Sequence, residues 1–403
     1  MINYPTKKLG EIAEVGAGNS APQDKKYFLG GTIPFFRTAD VGKVHFSTDL
    51  SETNDFLNKE AIENLHLKVW PKNTILFPKS GASTFLNHRV IIGADGVVAS
   101  HLATIFTKDN ILQKYIFYFL TTIDAKTLTA DQGYPSLRIS DLQRLKIPLP
   151  PINIQKQIVE RLDKIAEAQK LNDKLIQKAD ELFQSLLHKE LNPVGPADAK
   201  AMAGKKNWEV KKLKEVCEIN PSKNEIKNLP ADTIVSFLAM ADVSENAEID
   251  SLQERKLSAV KNGFTFFRNG DVIVAKITPC FENGKGAFIK NMKNGIGFGS
   301  TEFHVLRANL EILHNQFLYY LVSDKKFRKV GARFMTGSAG QQRVPTHYLE
   351  NFKIPLPPIE TQKQIVEKLS AVQEYKKRLL EQKAQLKELF DSALHNAFRG
   401  LPR

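Results

Sequence analysis

The chain has 403 residues, 42% of them hydrophobic, and a formal charge of +13, which allows two to three domains with real cores and excludes a disordered chain. Two cysteines, Cys217 and Cys280, are too few for a disulfide framework or a paired-thiolate zinc site and point to a reducing compartment. With no apolar leader and no run of about eighteen apolar residues, a soluble cytoplasmic protein without a membrane segment is expected.

Residues 1–150 mix short β-like runs, Asn73–Phe77 and Arg89–Ile92, with turn residues, and then a helix over Gln113–Leu120. This is a mixed α/β unit. Residues 208–357 echo it: Lys8-Leu9 against Lys212-Leu213, Thr74–Phe77 against Asp271–Val274, and 115–120 against 316–321. The positive excess sits mainly in these two segments and suits a polyanion-binding surface, although many basic proteins bind no nucleic acid.

Each unit is followed by a segment that is almost duplicated. KIPLPPINIQKQIVERL at 146–162 returns as KIPLPPIETQKQIVEKL at 353–369, with fourteen of seventeen positions identical. The Pro150-Pro151 and Pro357-Pro358 pairs impose an extended entry, after which a helix is expected, with Asn153 as N-cap in one copy and a Thr361/Gln364 capping box in the other. Helical periodicity places Ile158, Leu162, Ile165, Leu175, Ala179, Leu182 and Leu186 on one stripe, and Ile365, Leu369, Val372, Leu379, Leu386 and Phe390 on the other. Gln169 and Asn172 interrupt the first stripe, either as a buried pair that sets register or as solvated positions. Helices this long and one-sided are expected to bury each other. The first leads away from its unit and the second must return, so the pair is antiparallel.

The expected organisation is therefore unit 1–150, helix 151–191, linker 192–207, unit 208–357 and helix 358–403. The fold class is α+β: two mixed α/β domains at opposite ends of an antiparallel two-helix coiled coil, with pseudo-two-fold symmetry.

Unit, Pro-Pro junction, long helix and repetition together resemble the specificity subunit of type I restriction-modification enzymes. The resemblance spans essentially the whole chain and includes the opening Asn207-Trp-Glu-Val-Lys-Lys-Leu213, matched without its Trp by Tyr4–Leu9. It implies two target recognition domains, each reading one half of a bipartite double-stranded DNA target, on helices that set the spacer and dock two modification subunits. It further implies that adenine-N6 methylation with S-adenosylmethionine, and any ATP- and Mg-dependent cleavage by a restriction subunit, belong to partners. The chain itself would hold no cofactor and no catalytic residue.

The residues agree. No Asn/Asp-Pro-Pro-aromatic loop is present, and Gly295-Ile-Gly-Phe-Gly299 has the wrong spacing for a dinucleotide turn and reads as a β-turn. Asn283–Gly286 reads as a tight turn. Glu225-Ile-Lys227 has the letters of a nuclease motif without an acidic partner. A coiled-coil scaffold that binds only protein, or a self-sufficient methyltransferase or nuclease, stands as the alternative.

DNA contacts are sought in polar loops. Two of them align before the Pro-Pro junctions: 131–138 with Gln132, Tyr134, Ser136 and Arg138, and 337–343 with Gln341, Gln342 and Arg343. A second pair is Lys79, Ser80 and Ser83 with Arg89, matched by Lys276 and Thr278. Arg37 and Arg333 are added as cations beside aromatics. Ordinary solvated loops are the plain alternative for each. The charged helix faces, with Lys156, Glu160, Lys164, Lys363 and Glu367, are partner-docking surfaces or simply solvated.

Overall fold

The computed structural model describes residues 4–44, 48–129, 135–191, 208–244, 249, 251–338 and 340–398. The chain divides into two compact units, residues 1–173 with 381–403, and residues 174–380. Each therefore owns one α/β domain and a half of each long helix.

The two α/β domains repeat one topology strand for strand. In unit 1 an antiparallel sheet has the order Ala13–Ala17, Leu102–Thr107, Ile75–Pro78, Val90–Ile91, and in unit 2 the order is Cys217–Ile219, Phe303–Ala308, Val272–Ala275, Gly286–Phe288. A second sheet orders Phe56–Leu57, Ile33–Phe36, Gly96–Val98, Val69–Trp70, with the middle pair parallel. Its counterpart orders Gln253–Lys256, Ile234–Leu238, Ile296–Gly299, Thr265–Arg268, again with a parallel middle pair. Gly295 ends a short 3-10 turn, and residues 296–299 form a strand rather than the expected turn. Its glycines make room for a ring, since a Cβ on Gly297 would lie 2.1 Å from Phe267 Cε2.

The duplicated junction is a strand and a helix start. Lys146–Pro148 pairs antiparallel with Thr6–Lys8, and Lys353–Leu356 with Glu209–Lys212. The long helices run Ile152–Leu191 and Ile359–Ala397, about 60 Å each at about 1.5 Å per residue. They begin directly after Pro151 and Pro358, earlier than Asn153 or Thr361 would set them, because proline lacks only an N–H that no helix start uses. The junction is held instead by a glutamine inside the repeated motif. Buried Gln155 donates from Nε2 to Pro150 O (2.9 Å) and accepts at Oε1 from Leu112 N (3.0 Å). Gln362 repeats this on Pro357 O (2.8 Å) and His314 N (2.8 Å). One side chain thereby locks the Pro-Pro entry to the start of a short helix, Gln113–Thr121 in unit 1 and Asn315–Ser323 in unit 2.

Those short helices complete the burial of the long ones. In unit 1, Val159, Leu162 and Ile165 from the first long helix and Ala393 and Phe398 from the second share a core with Tyr115, Ile116 and Phe119. In unit 2, Leu187, Leu191, Ile365, Val366 and Leu369 share one with Phe317, Leu318 and Tyr320. The stripes therefore pack on a third helix as well as on each other. Tyr118 faces Phe390 at 6.1 Å between ring centroids and Tyr320 faces Phe183 at 6.0 Å. Tyr118 matches Tyr320, so the short helices align one residue away from the 115–120/316–321 pairing read from sequence.

Within each unit the helix halves run antiparallel. In unit 1 Asp173 meets Lys383 (2.8 Å) and Gln169 donates to Leu386 O (3.2 Å). In unit 2 Asp180 meets Lys376 (2.7 Å) and Glu190 meets Lys368 (3.2 Å). Asn172 is buried. Of the expected seam residues, Ile158, Leu162, Ile165, Ala179, Leu186, Ile365, Leu369, Val372, Leu379, Leu386 and Phe390 are buried or half-buried. Leu175 and Leu182 are not, being 41% and 50% exposed. The covered row steps through Asn172, Ile176, Ala179 and Phe183, and each of these two leucines precedes a row position, about 100° round the helix at 3.6 residues per turn.

Candidate nucleic-acid interface

The two loop families proposed separately from sequence come together in the same way in both units. In unit 1 the chain leaving strand Ile75–Pro78 continues as a main-chain ladder against the pre-junction loop: Leu137 N donates to Lys79 O (2.7 Å), Gly81 N to Pro135 O (3.0 Å), and Ser80 bridges Ser136. In unit 2 Val344 N donates to Lys276 O (2.8 Å), Thr278 N to Gln342 O (2.9 Å), and Ile277 bridges Arg343. The central strand adds a third side, with Lys79 N donating to His101 O (2.9 Å) and Lys276 N to Glu302 O (2.8 Å). These bonds fix the loops to the ends of the two middle strands of the sheet, a rigid support of the kind that base reading requires.

The side chains differ where the backbone does not. In unit 1 Ser80 Oγ and His101 Nδ1 are 2.7 Å apart, Ser83 Oγ donates to Ser80 O (3.3 Å), and Ser136, Arg138 and His101 are exposed. In unit 2 the Arg343 fork grips Glu302, Nε to Oε2 at 2.9 Å and Nη2 to Oε1 at 2.9 Å, while Nη1 donates to Gln341 O (2.8 Å). The hydrogen bonds from Arg343 hold the Glu302 carboxyl below its usual range. Thr336 and Arg343 exchange both main-chain bonds, as a hairpin pair does, and Gln341 and Gln342 beside them are exposed. Beneath it, His304 Nε2 lies 2.8 Å from Val344 O and Nδ1 lies 3.2 Å from Asn220 Nδ2. Burial pushes this imidazole below its ordinary range, and the neutral ring with its proton on Nε2 satisfies both partners.

Not every expected residue joins this cluster. Arg89 is fully buried, with Nη1 on His88 O (2.8 Å), Nη2 on Ile123 O (3.2 Å) and the guanidinium 3.2 Å from the centre of the Phe77 ring. Burial lowers its pKa to about 9. It cannot meet a phosphate and instead ties the His88 and Ile123 carbonyls to the Phe77 ring. Thr278 stays in the ladder through its N–H, but its Oγ1 is committed to Glu282 (2.6 Å). Arg37 leaves strand Ile33–Phe36 pinned to Asp55 and over Phe35 (4.8 Å). Arg333 is exposed beside Phe334, outside the ladder. Gln132 and Tyr134 lie outside the described residues. The sequence reading missed His101 and Glu302, which no motif marks.

The nuclease-like letters at 225–227 are occupied otherwise, because the Glu225 carboxylate binds Arg268 and Arg307. Among the described residues no group of three or more His, Cys, Asp or Glu could hold a metal, and no helix is long and apolar enough to cross a membrane.

Fold and loops together define a duplicated α+β chain that carries two like scaffolds with unlike polar edges. Residues 1–181 and 205–388 both match the type I restriction modification DNA specificity domain, and the chain belongs to that family. It is 42% identical over 162 residues to the type I restriction enzyme EcoAI specificity subunit of Escherichia coli, a match covering 40% of this chain and 27% of that protein. It is 27% identical over 361 residues to the MjaVIII specificity subunit of Methanocaldococcus jannaschii, covering 83% of this chain and 78% of that one. Among solved structures, the S subunit of a type I restriction-modification system from M. genitalium aligns over 100% of this chain and 97% of its own, with a TM-score of 0.57 at 16% identity. That likeness is one of fold.

Proposed function

We propose that this chain is the non-catalytic, sequence-specific DNA-binding subunit of a type I restriction-modification complex in the cytoplasm. Each α/β domain reads one half of a bipartite duplex target through the ladder at the end of its middle strands. The long helices set the spacing between half-sites, and their charged faces, with Lys156, Glu160, Lys164, Lys363 and Glu367 exposed, dock two adenine-N6 methyltransferase subunits. S-adenosylmethionine belongs to those subunits, and ATP and Mg to a restriction subunit where one is present.

One observation carries this reading. Backbone, junction and glutamine lock repeat nearly without change, whereas the side chains on the two ladders differ in kind, as two readers of unlike sequences require. The test is to map N6-methyladenine across the genome with and without this gene. A bipartite motif with one fixed spacer, present only with the gene, is expected. Unchanged methylation on deletion would overturn the reading, and stoichiometric binding of S-adenosylmethionine by the purified chain would favour an enzyme instead.

A further inference from the structure

The ladder equates two residues that share no chemistry. Lys79 N and Lys276 N donate to the carbonyls of His101 and Glu302, and these residues precede the equivalent central strands Leu102–Thr107 and Phe303–Ala308. His101 and Glu302 therefore hold one structural position, at the meeting point of both candidate loops in each unit. Each also touches those loops through its side chain, His101 at Ser80 and Glu302 at Arg343.

Resting on the DNA-recognition reading above, we propose that this shared position determines base preference in each unit: Glu302 accepts a hydrogen bond from an exocyclic amino group of cytosine or adenine, and His101 donates from Nε2 to a base-edge acceptor. A carboxylate has about four acceptor sites. The Arg343 fork approaches one side of Glu302 and leaves acceptor capacity on the other, and with no donor of its own Glu302 can only select amino groups in the major groove. Arg343 orients it, while two of the five guanidinium N–H groups remain for phosphate or base. In unit 1, the tautomer in which Ser80 donates to Nδ1 leaves the proton on Nε2, and the ring is exposed. One scaffold thus presents a donor and its copy an acceptor at the same place, which makes the half-sites differ without any change of backbone.

The test uses the full chain with its own methyltransferase partner in the host, carrying Glu302→Gln or His101→Gln, with N6-methyladenine mapped genome-wide. Each variant is expected to relax one base of one half-site by roughly ten-fold or more, with the other half-site and the spacer intact, and the two variants must strike different half-sites. An unchanged motif in either variant overturns the proposal for that residue, whatever happens to stability. If Glu302→Gln abolishes methylation, Glu302→Asp decides: retention of the wild-type motif at lower occupancy supports the carboxylate role, and a relaxed motif despite the carboxylate contradicts it. A wild-type chain that yields no bipartite motif would instead sink the DNA-recognition reading itself.

Discussion

Arg343 closes its fork on Glu302, with Nε 2.9 Å from one carboxylate oxygen and Nη2 2.9 Å from the other. The pair ties the pre-junction hairpin of unit 2 to the head of its central strand. Because the hydrogen bonds of Arg343 depress the Glu302 pKa, the contribution is fully present above the ordinary glutamate value of about 4.3 and is lost as pH falls through the lower folded value. Replacing Arg343 with alanine should lower the melting temperature at pH 7 by more than it does near pH 3.5. An equal loss at both pH values would show that the ion pair contributes little.

Lys79 and Lys276 sit at equivalent ladder positions, and on the proposed DNA-recognition reading each contacts phosphate rather than bases. Lys79→Ala or Lys276→Ala should weaken DNA binding across sequences alike and reduce the slope of log K against log salt by about 1. Titrations of the assembled methyltransferase at several salt concentrations check this, and a change in preferred sequence would contradict the assignment.

Arg89 holds His88 O and Ile123 O against the Phe77 ring. Arg89→Ala leaves His88 O and Ile123 O without their donors and opens space beside Phe77, and should cost about 3 kcal/mol of stability. Thermal melting reads that loss. The salt slope of DNA binding, measured below the melting temperature, should stay at the wild-type value.

Gln155 and Gln362 lock the two junctions. Gln155→Ala strands Leu112 N and Pro150 O, and Gln362→Ala strands His314 N, Pro357 O and Ile312 O. Each substitution should destabilise its own unit by about 2 to 4 kcal/mol, visible as a loss of amide-exchange protection confined to that unit's short helix and junction.

Much of this architecture is legible in the sequence because it depends on local pattern. The Pro-Pro pairs and the apolar stripes are read from neighbours within a few turns, and the polar loops from their alignment before the two copies of the junction. What is not legible depends on distant partners. Arg89 looks like a loop cation until Ile123 and Phe77 enclose it, and Gln155 is one letter of a repeated motif until it meets Leu112. Leu175 and Leu182 fit an ideal stripe, yet the covered row passes one residue to their side. His101 and Glu302 become a pair only when strand register equates an imidazole with a carboxylate.

On the proposed reading the two units read their half-sites independently on a common scaffold. Replacing the exposed pair Gln341-Gln342 of unit 2 with Gly-Ser in the full chain and mapping N6-methyladenine in the host measures that independence. One half of the bipartite motif should relax or change, while the other half and the spacer length stay as in the wild type. A motif that is unchanged, or one in which both halves or the spacer shift together, would contradict the account.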